Sequence, residues 1–276
     1  MLWQTAITGA HSLAGAQVFD LPDLSVFTAV VADRRFIAAA VVSALSGLVR
    51  GFSGFGSALI YIPLISAIYE PRIAAVTLLL IDLVSSTPFS IREFSRCNWR
   101  EVAPIVIVAA VMTPVGTLVL IFADPIVLRW IISGLVLMLL AVLASGWRYH
   151  GKPTLPAMAA VGTVAGLGSG AVQIAGPPVI VFWLGGHSDA RTVRANLMVF
   201  FVLMGAASLV SYLAQGIVTA DTLVLTLCLG VPFVLALWAG VRSFHLASDT
   251  TYRRIAYAIV ATSALVSLPL FDKFLR

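Results

Sequence analysis

The sequence predicts an all-α polytopic membrane protein, and three observations lead to this fold class. Of the 276 residues, 60% are hydrophobic and only 11% are charged, whereas ordinary soluble domains carry about 25% charged residues. Several apolar stretches, such as 102–123 and 125–147, reach the roughly 20 residues that a helix needs to cross a bilayer. Glycine-rich breaks also interrupt two pairs of shorter apolar stretches. These features argue against a large soluble all-α protein.

Ten apolar segments follow one another from residue 36 onward. Two neighbouring pairs are short, and each pair is joined by a break of small residues, which predicts broken or re-entrant helices. The other six segments are long enough to span. In chain order, the predicted segments lie at about 36–50, 55–69, 73–91, 102–123, 125–147, 155–171, 174–186, 193–214, 222–241 and 253–271.

The basic residues predict the orientation in the membrane. Three connecting loops contain eight of the 17 Lys and Arg residues: Arg92, Arg96 and Arg100; Arg148 and Lys152; Arg242, Arg253 and Arg254. Placing these loops in the cytoplasm satisfies the positive-inside rule. The loops 123–125 and 215–221 are then external and contain no Lys or Arg, while four basic residues near the two ends oppose the arrangement. We therefore attribute the net charge of +5 to membrane orientation and expect no nucleic-acid partner.

The chain divides into three regions. Residues 1–33 lack Lys and Arg and so lack the positive start of a signal peptide, which leaves an N-terminal extension or an interfacial segment. Residues 34–150 and 151–276 are predicted to be two membrane repeats. SGLVRGFSGFGSALIYIP and AGLGSGAVQIAGPPVIVF resemble each other at an offset of 119 residues, which also pairs Arg72 with Arg191. Each repeat holds five segments, and an odd number inverts the second copy.

Inversion predicts that the two broken pairs enter from opposite faces and meet near the bilayer midplane. Lipid cannot satisfy an open backbone, so the breaks must face protein or a wet cavity. Free N–H groups at the start of the half-helices near Phe55 and Pro177 carry partial positive charge and attract an anion. For each single glycine, tight helix packing is the alternative interpretation. The predicted substrate contacts are Arg50, Ser53, Gly54, Gly56, Ser57, Gln173, Gly176 and Asn196.

Asp82 is the candidate for ion coupling. It lies in the middle of LLLIDLVSS, where an acidic side chain is costly and usually functional. Burial would favour its protonated form, so we expect it to carry a coupling proton. A structural partner, Ser85 or an arginine, is the alternative. Arg72 and Arg191 are expected either to gate the pathway or to anchor helix ends at the interface.

The glycine-rich motifs resemble those of the TauE/SafE sulfite exporter family of bacterial anion transporters. The resemblance rests on GFSGFGSALIYIPL with PRIAAVTLLL, and on GLGSGAVQIAGPPVIVFWL with RTVRANLMVF, and it extends over roughly residues 36–271. It implies a multi-pass protein of the bacterial inner membrane that moves sulfite, organosulfonates or other small sulfur-containing or carboxylate anions, often outward. Gln173 and Ala175 stand where glycines are common in the family, which leaves the substrate open.

The sequence predicts a secondary transporter with alternating access, and two other functions are weighed against it. A passive anion channel also uses helix N-termini, although Asp82 favours coupled transport. Gly51-Phe52-Ser53-Gly54 fits the GxSG of rhomboid-type intramembrane proteases, but none of the four histidines lies within a predicted span to act as the base. We expect no enzyme, cofactor or metal. The bilayer, a small anion and a coupling proton are the expected partners, and a homodimer is compatible with the sequence.

Overall fold

The computed structural model describes residues 24–53, 56–145, 153–185, 189–243 and 259–269, and every regular element in these ranges is helical. Residues 259–266 are also helical. Among the described residues, six helices are long and apolar enough to cross a membrane, which confirms the predicted fold class. A 3-10 helix, Ile91–Ser95, joins α4 to α5. The α-helices are α1 Leu24–Ala32, α2 Arg34–Ser53, α3 Ser57–Ile68, α4 Pro71–Ser90, α5 Trp99–Phe122, α6 Pro125–Ser145, α7 Leu155–Val172, α8 Gly176–Gly185, α9 Ala190–Ala214 and α10 Ala220–Ser243.

Local sequence explains where the long helices begin. Asn98 precedes α5, and its side chain accepts a hydrogen bond from the Arg100 backbone N–H at 3.2 Å. Asp189 precedes α9 and accepts from the Thr192 N–H at 3.4 Å. Side-chain acceptors of this kind satisfy backbone donors that a first helical turn leaves open. Pro71 opens α4, where its missing N–H has no cost.

The two short helices are too short to cross a bilayer. α3 has 12 residues and α8 has 10. At 1.5 Å per residue they reach about 18 and 15 Å, against a hydrocarbon core of about 30 Å. Each of them follows a longer helix after a break at the predicted small residues, so α2–α3 and α7–α8 are helical hairpins with one short arm.

The long arm of the first hairpin runs parallel to α10 at close range. A Cβ added to Gly47 would overlap the Phe233 carbonyl oxygen, and one added to Gly51 would overlap that of Leu237. Both helices advance by four residues between these contacts, so they point in the same direction. Glycine is required here because the backbone of α10 occupies the place of a side chain.

The long arm of the second hairpin is parallel to α5 in the same manner. A Cβ on Gly166 would overlap the Ala109 carbonyl oxygen, and one on Gly170 would overlap that of Thr113. Each hairpin is therefore inserted against the fourth helix of the other half of the chain. The glycines four residues apart in each long arm make this exchange possible.

The hairpins open toward opposite sides of the molecule. We call the side on which α4 ends and α5 begins the basic side, since Arg92, Arg96 and Arg100 lie there. α7 is parallel to α5 and therefore enters from the basic side, whereas α2 is parallel to α10, which ends on the basic side, and so enters from the other. At an offset of 119 residues, α2 to α5 correspond in order and approximate bounds to α7 to α10. This correspondence supports the prediction of an inverted repeat.

Buried apolar side chains form two clusters, one for each hairpin. The larger surrounds α2, α3 and α4 and includes Tyr61 and Phe233, both fully buried. The second surrounds α7, α8 and α9, where the Trp183 and Phe200 rings meet edge to face with centroids 5.9 Å apart. Many large apolar side chains on α5, α6 and α10 point outward, as expected for surfaces that face lipid.

Candidate functional site

A cavity lies where the tips of the two hairpins meet. It encloses about 70 Å³, and since about 10–15 Å³ of such space holds one water molecule, it accommodates a solute of a few non-hydrogen atoms. The starts of α3 and α8 both open into it, through Gly56 and Ser57 on one side and Gly176 and Pro177 on the other. α4 and α9, which follow the two hairpins in the chain, form its walls.

An ion pair occupies one wall of the cavity. Arg50 Nε lies 2.8 Å from Asp82 Oδ1, and Arg50 Nη2 donates a hydrogen bond to the Ser86 hydroxyl at 2.7 Å. The guanidinium carbon lies 5.9 Å from the centre of the Phe201 ring, within cation–π range. The Arg50 side chain is 10% exposed and that of Asp82 25%. Of the described residues that line the cavity, these two are the charged ones.

The charge is confined to one half of the chain. At the offset of 119 residues, the positions equivalent to Arg50 and Asp82 are Ser169 and Phe201, and both line the same cavity. Ser86 corresponds to Gly205, which lines it as well. Equivalent positions therefore form opposite walls, and among the described lining residues the ionisable side chains come from the first half.

The two hairpin tips use left-handed backbone conformations. Gly56, which precedes α3, has φ of 92°, a conformation that favours glycine. Gln173, which follows α7, has φ of 56° although it is not a glycine. Its side-chain amide donates to the Ser169 carbonyl at 2.9 Å and to the Tyr212 hydroxyl at 3.1 Å. The bond to Ser169 stays within the last turn of α7, and the bond to Tyr212 connects the tip to α9.

Six of the predicted site residues line the cavity together. They are Arg50, Gly56, Ser57, Asp82, Gln173 and Gly176. Ser53 ends α2, and its neighbour Gly54 lies outside the described residues. The predictions for these two positions therefore stay predictions. The side chain of Asp82 has Arg50 and Ser86 as partners, while the Ser85 hydroxyl donates to the Asp82 backbone carbonyl at 3.3 Å. An arginine partner is therefore present, and the coupling role of Asp82 stays a prediction.

Asn196 is not among the residues that line the cavity. It is fully buried near the basic side, where its Oδ1 accepts a hydrogen bond from the Asn98 backbone N–H at 2.7 Å. Its amide nitrogen has no partner among the described residues. This position joins the start of α5 to α9, so the substrate contact predicted for Asn196 stays a prediction without support from the geometry.

Arg72 and Arg191 lie at the starts of α4 and α9 and do not line the cavity. Arg72 Nε donates to the Leu120 carbonyl at 3.3 Å, and Nη2 donates to the Ile121 carbonyl. These carbonyls belong to the last turn of α5, where acceptors lack partners within the helix. The contacts favour the anchoring alternative for Arg72, and Arg191 is exposed at the other side.

We expect Arg72→Ala to lower the stability of the protein while leaving anion flux per folded molecule near that of the wild type. Loss of the two hydrogen bonds to α5 should cost about 0.5–1.5 kcal/mol each at most, a fall of a few degrees in the melting temperature measured in detergent. Arg191→Ala is the matched control and should shift the melting temperature less. Unchanged stability with lost flux in Arg72→Ala would instead support gating.

Three residues that line the cavity are not predicted from the sequence. Phe201 and Ser86 contact Arg50, and Ser169 lines the cavity with them. Phe201 and Ser169 could have been found by applying the offset of 119 residues to Asp82 and Arg50. Ser86 follows Asp82 by one helical turn, which places both on one face of α4.

Within the ranges that the structure describes, no group of three or more His, Cys, Asp or Glu side chains could hold a metal ion. All four histidines lie outside the described residues, so the base that a rhomboid-type protease would need is not placed.

Comparison with known proteins gives one match. A family model described as "Sulfite exporter TauE/SafE" matches residues 39–267, which include the second hairpin, the first hairpin from its sixth residue onward and every described residue that lines the cavity. No curated protein and no solved structure matches the chain.

Proposed function

Because the chain belongs to the sulfite exporter TauE/SafE family of membrane transporters, we propose that it exports a small anion across the bacterial inner membrane by alternating access. The observation that carries this proposal is the cavity shared by the two hairpin tips, with Arg50 on its wall. A binding site between broken helices at the repeat interface is the common arrangement of secondary transporters. Sulfite, organosulfonates and small carboxylates are the substrate class.

The anion would bind between Arg50 and the start of α3. Ser57 and Ala58 lie in the first turn of α3 and line the cavity, so their backbone N–H groups are available as donors. α8 contributes fewer donors, because Pro177 and Pro178 follow Gly176 and have no N–H. Both helices direct the positive end of their dipoles toward the cavity. The substrate is therefore bound chiefly by the first half of the chain.

Alternating access follows from the opposite entry of the hairpins. Each hairpin separates the cavity from the side by which it enters, through a short helix of about 15–18 Å. Movement of one hairpin against α4 and α9 would open the cavity to one side while the other hairpin keeps it closed. Asp82, paired with Arg50, is the residue that we propose carries the coupling proton.

Flux measurements in proteoliposomes test the proposed function. We expect the purified protein to move labelled sulfite and methanesulfonate, and we expect unlabelled anion on the far side to accelerate uptake. Such acceleration requires a carrier whose site returns with a bound anion. High flux without this acceleration would indicate a channel. No flux of either anion above that of empty vesicles would contradict the proposal.

Ser53→Ala separates transport from the protease alternative. A rhomboid-type enzyme would lose its nucleophile and all activity, whereas a transporter would keep measurable flux with an altered KM. Complete loss of flux in a folded Ser53→Ala protein would require a larger role for this hydroxyl than we propose.

A further inference from the structure

The charges in the cavity set the electrical balance of transport. Arg50 and Asp82 are 2.8 Å apart and cancel each other when both are ionised. A monoanion that enters beside this pair leaves an uncompensated negative charge in a site largely closed to water, which is strongly unfavourable. A proton on Asp82 removes that excess, because Arg50 then balances the anion.

No other described side chain near Asp82 can take over this role. α3 and α7 contain no charged residue. Arg129 of α6 is buried but donates to the Ser267 carbonyl at 2.8 Å, away from the cavity. The charged residues of the remaining elements packed around α4 lie near helix ends or in the link to α5: Arg72, Arg92, Glu93, Arg96, Arg100, Glu101, Arg191, Arg194, Asp221 and Arg242.

The second half of the chain supplies no second pair. Ser169 and Phe201 stand at the positions equivalent to Arg50 and Asp82. Among the described residues, the cavity therefore contains one guanidinium and one carboxyl group, which fits one anionic charge and one proton per cycle. The partial charges of the helix N-termini favour the anion but are the same before and after protonation.

We infer that the protein moves one proton together with each monoanion and that this transport is electroneutral. When no anion is bound, the site changes from one side to the other with Arg50 and Asp82 both ionised. When an anion is bound, it does so with Arg50 ionised, the anion in place and Asp82 protonated. Both forms have zero net charge, so the membrane potential does no work on either. The direction of net transport is then set by the anion and proton gradients alone, so export requires an outward anion gradient larger than any inward proton gradient.

The inference rests on the proposed function, and it narrows the substrate to singly charged anions. A dianion with one proton would leave a net negative site, so sulfite would be transported in its singly protonated form. Sulfonates and monocarboxylates satisfy the same balance without a proton of their own.

The test varies the proton gradient and the membrane potential separately in proteoliposomes, with potassium and valinomycin to set the potential. Labelled methanesulfonate is the probe, because it stays a monoanion throughout the usable pH range. We expect an inward proton gradient to drive accumulation above the equilibrium level, and we expect a potential of either sign to leave it unchanged. Accumulation driven by the potential, or flux without a response to the proton gradient, would overturn the inference.

Asp82→Asn should reverse this behaviour. Asparagine cannot take up a proton, so anion uptake should lose its dependence on the proton gradient and become sensitive to the potential. Asp221→Asn, which removes an exposed carboxylate at the start of α10, should behave as the wild type. Should Asp82→Asn fail to fold, the wild-type measurement still decides. Failure of the wild type to move either methanesulfonate or sulfite would instead contradict the proposed function.

Discussion

Replacing Arg50 with glutamine is expected to reduce anion transport by about tenfold to a hundredfold. Glutamine removes the charged donor, and hydrogen bonds to charged groups contribute about 1.5–3 kcal/mol. The same change leaves Asp82 in the cavity without its partner at 2.8 Å, so Asp82 would bind a proton more readily but would have no cation to balance the anion. Initial rates of sulfite uptake at saturating and limiting concentrations measure the effect.

Controls for Arg50→Gln separate binding from folding. Arg100→Gln removes an exposed arginine at the start of α5 and should keep wild-type flux. Arg50→Gln combined with Asp82→Asn removes both charges, so it should recover thermal stability without recovering transport. Transport restored by the double substitution would show that Arg50 serves only to neutralise Asp82.

Gly170→Ala is expected to lower the melting temperature more than Arg72→Ala or Arg50→Gln does. The new Cβ would overlap the Thr113 carbonyl oxygen, and the nearest atoms belong to backbone that cannot rotate away. Overpacking typically costs about 1–3 kcal/mol, and here α5 and α7 must separate along their contact. Thermal unfolding in detergent measures the loss.

Gly134→Ala is the matched control for this substitution. A Cβ at Gly134 of α6 has no neighbour within 4 Å, so alanine should be neutral or stabilise the helix by up to about 1 kcal/mol. Equal melting temperatures for the two variants would contradict the close contact of α5 and α7, and with it the direction of the second hairpin.

The order and approximate lengths of the helices could be predicted because a bilayer requires long apolar helices, and glycine-rich breaks mark where a helix is interrupted. The predicted short segments at 55–69 and 174–186 correspond to α3 and α8. The resemblance of the glycine-rich motifs to the TauE/SafE family is confirmed by the match over residues 39–267. For residues 1–33 the sequence does not distinguish an extension from an interfacial segment. α1 has nine residues, which are too few for a periodic pattern to identify a helix.

The site was predicted only in part, since side chains that meet across the molecule leave no periodic signal. The sequence predicts Arg50 as a substrate contact and Asp82 as an acidic residue that is costly in lipid, but nothing in the sequence pairs them. The contact of Arg72 with the end of α5 depends on how α4 and α5 pack. Asn196 follows Arg191 and Arg194 in the sequence, which does not indicate whether it faces the cavity. Only the fold places it beside Asn98 near the basic side.

The exchange of hairpins between the halves has a consequence for how the protein is made. The Ser43 hydroxyl of α2 donates to the Leu229 carbonyl of α10, which is 186 residues later in the chain. The first hairpin is synthesised long before α10. Until α10 is present, the side of α2 that packs against it must be covered by lipid or by the insertion machinery. The native contacts of the first hairpin with α10 therefore form only after α10 has been synthesised.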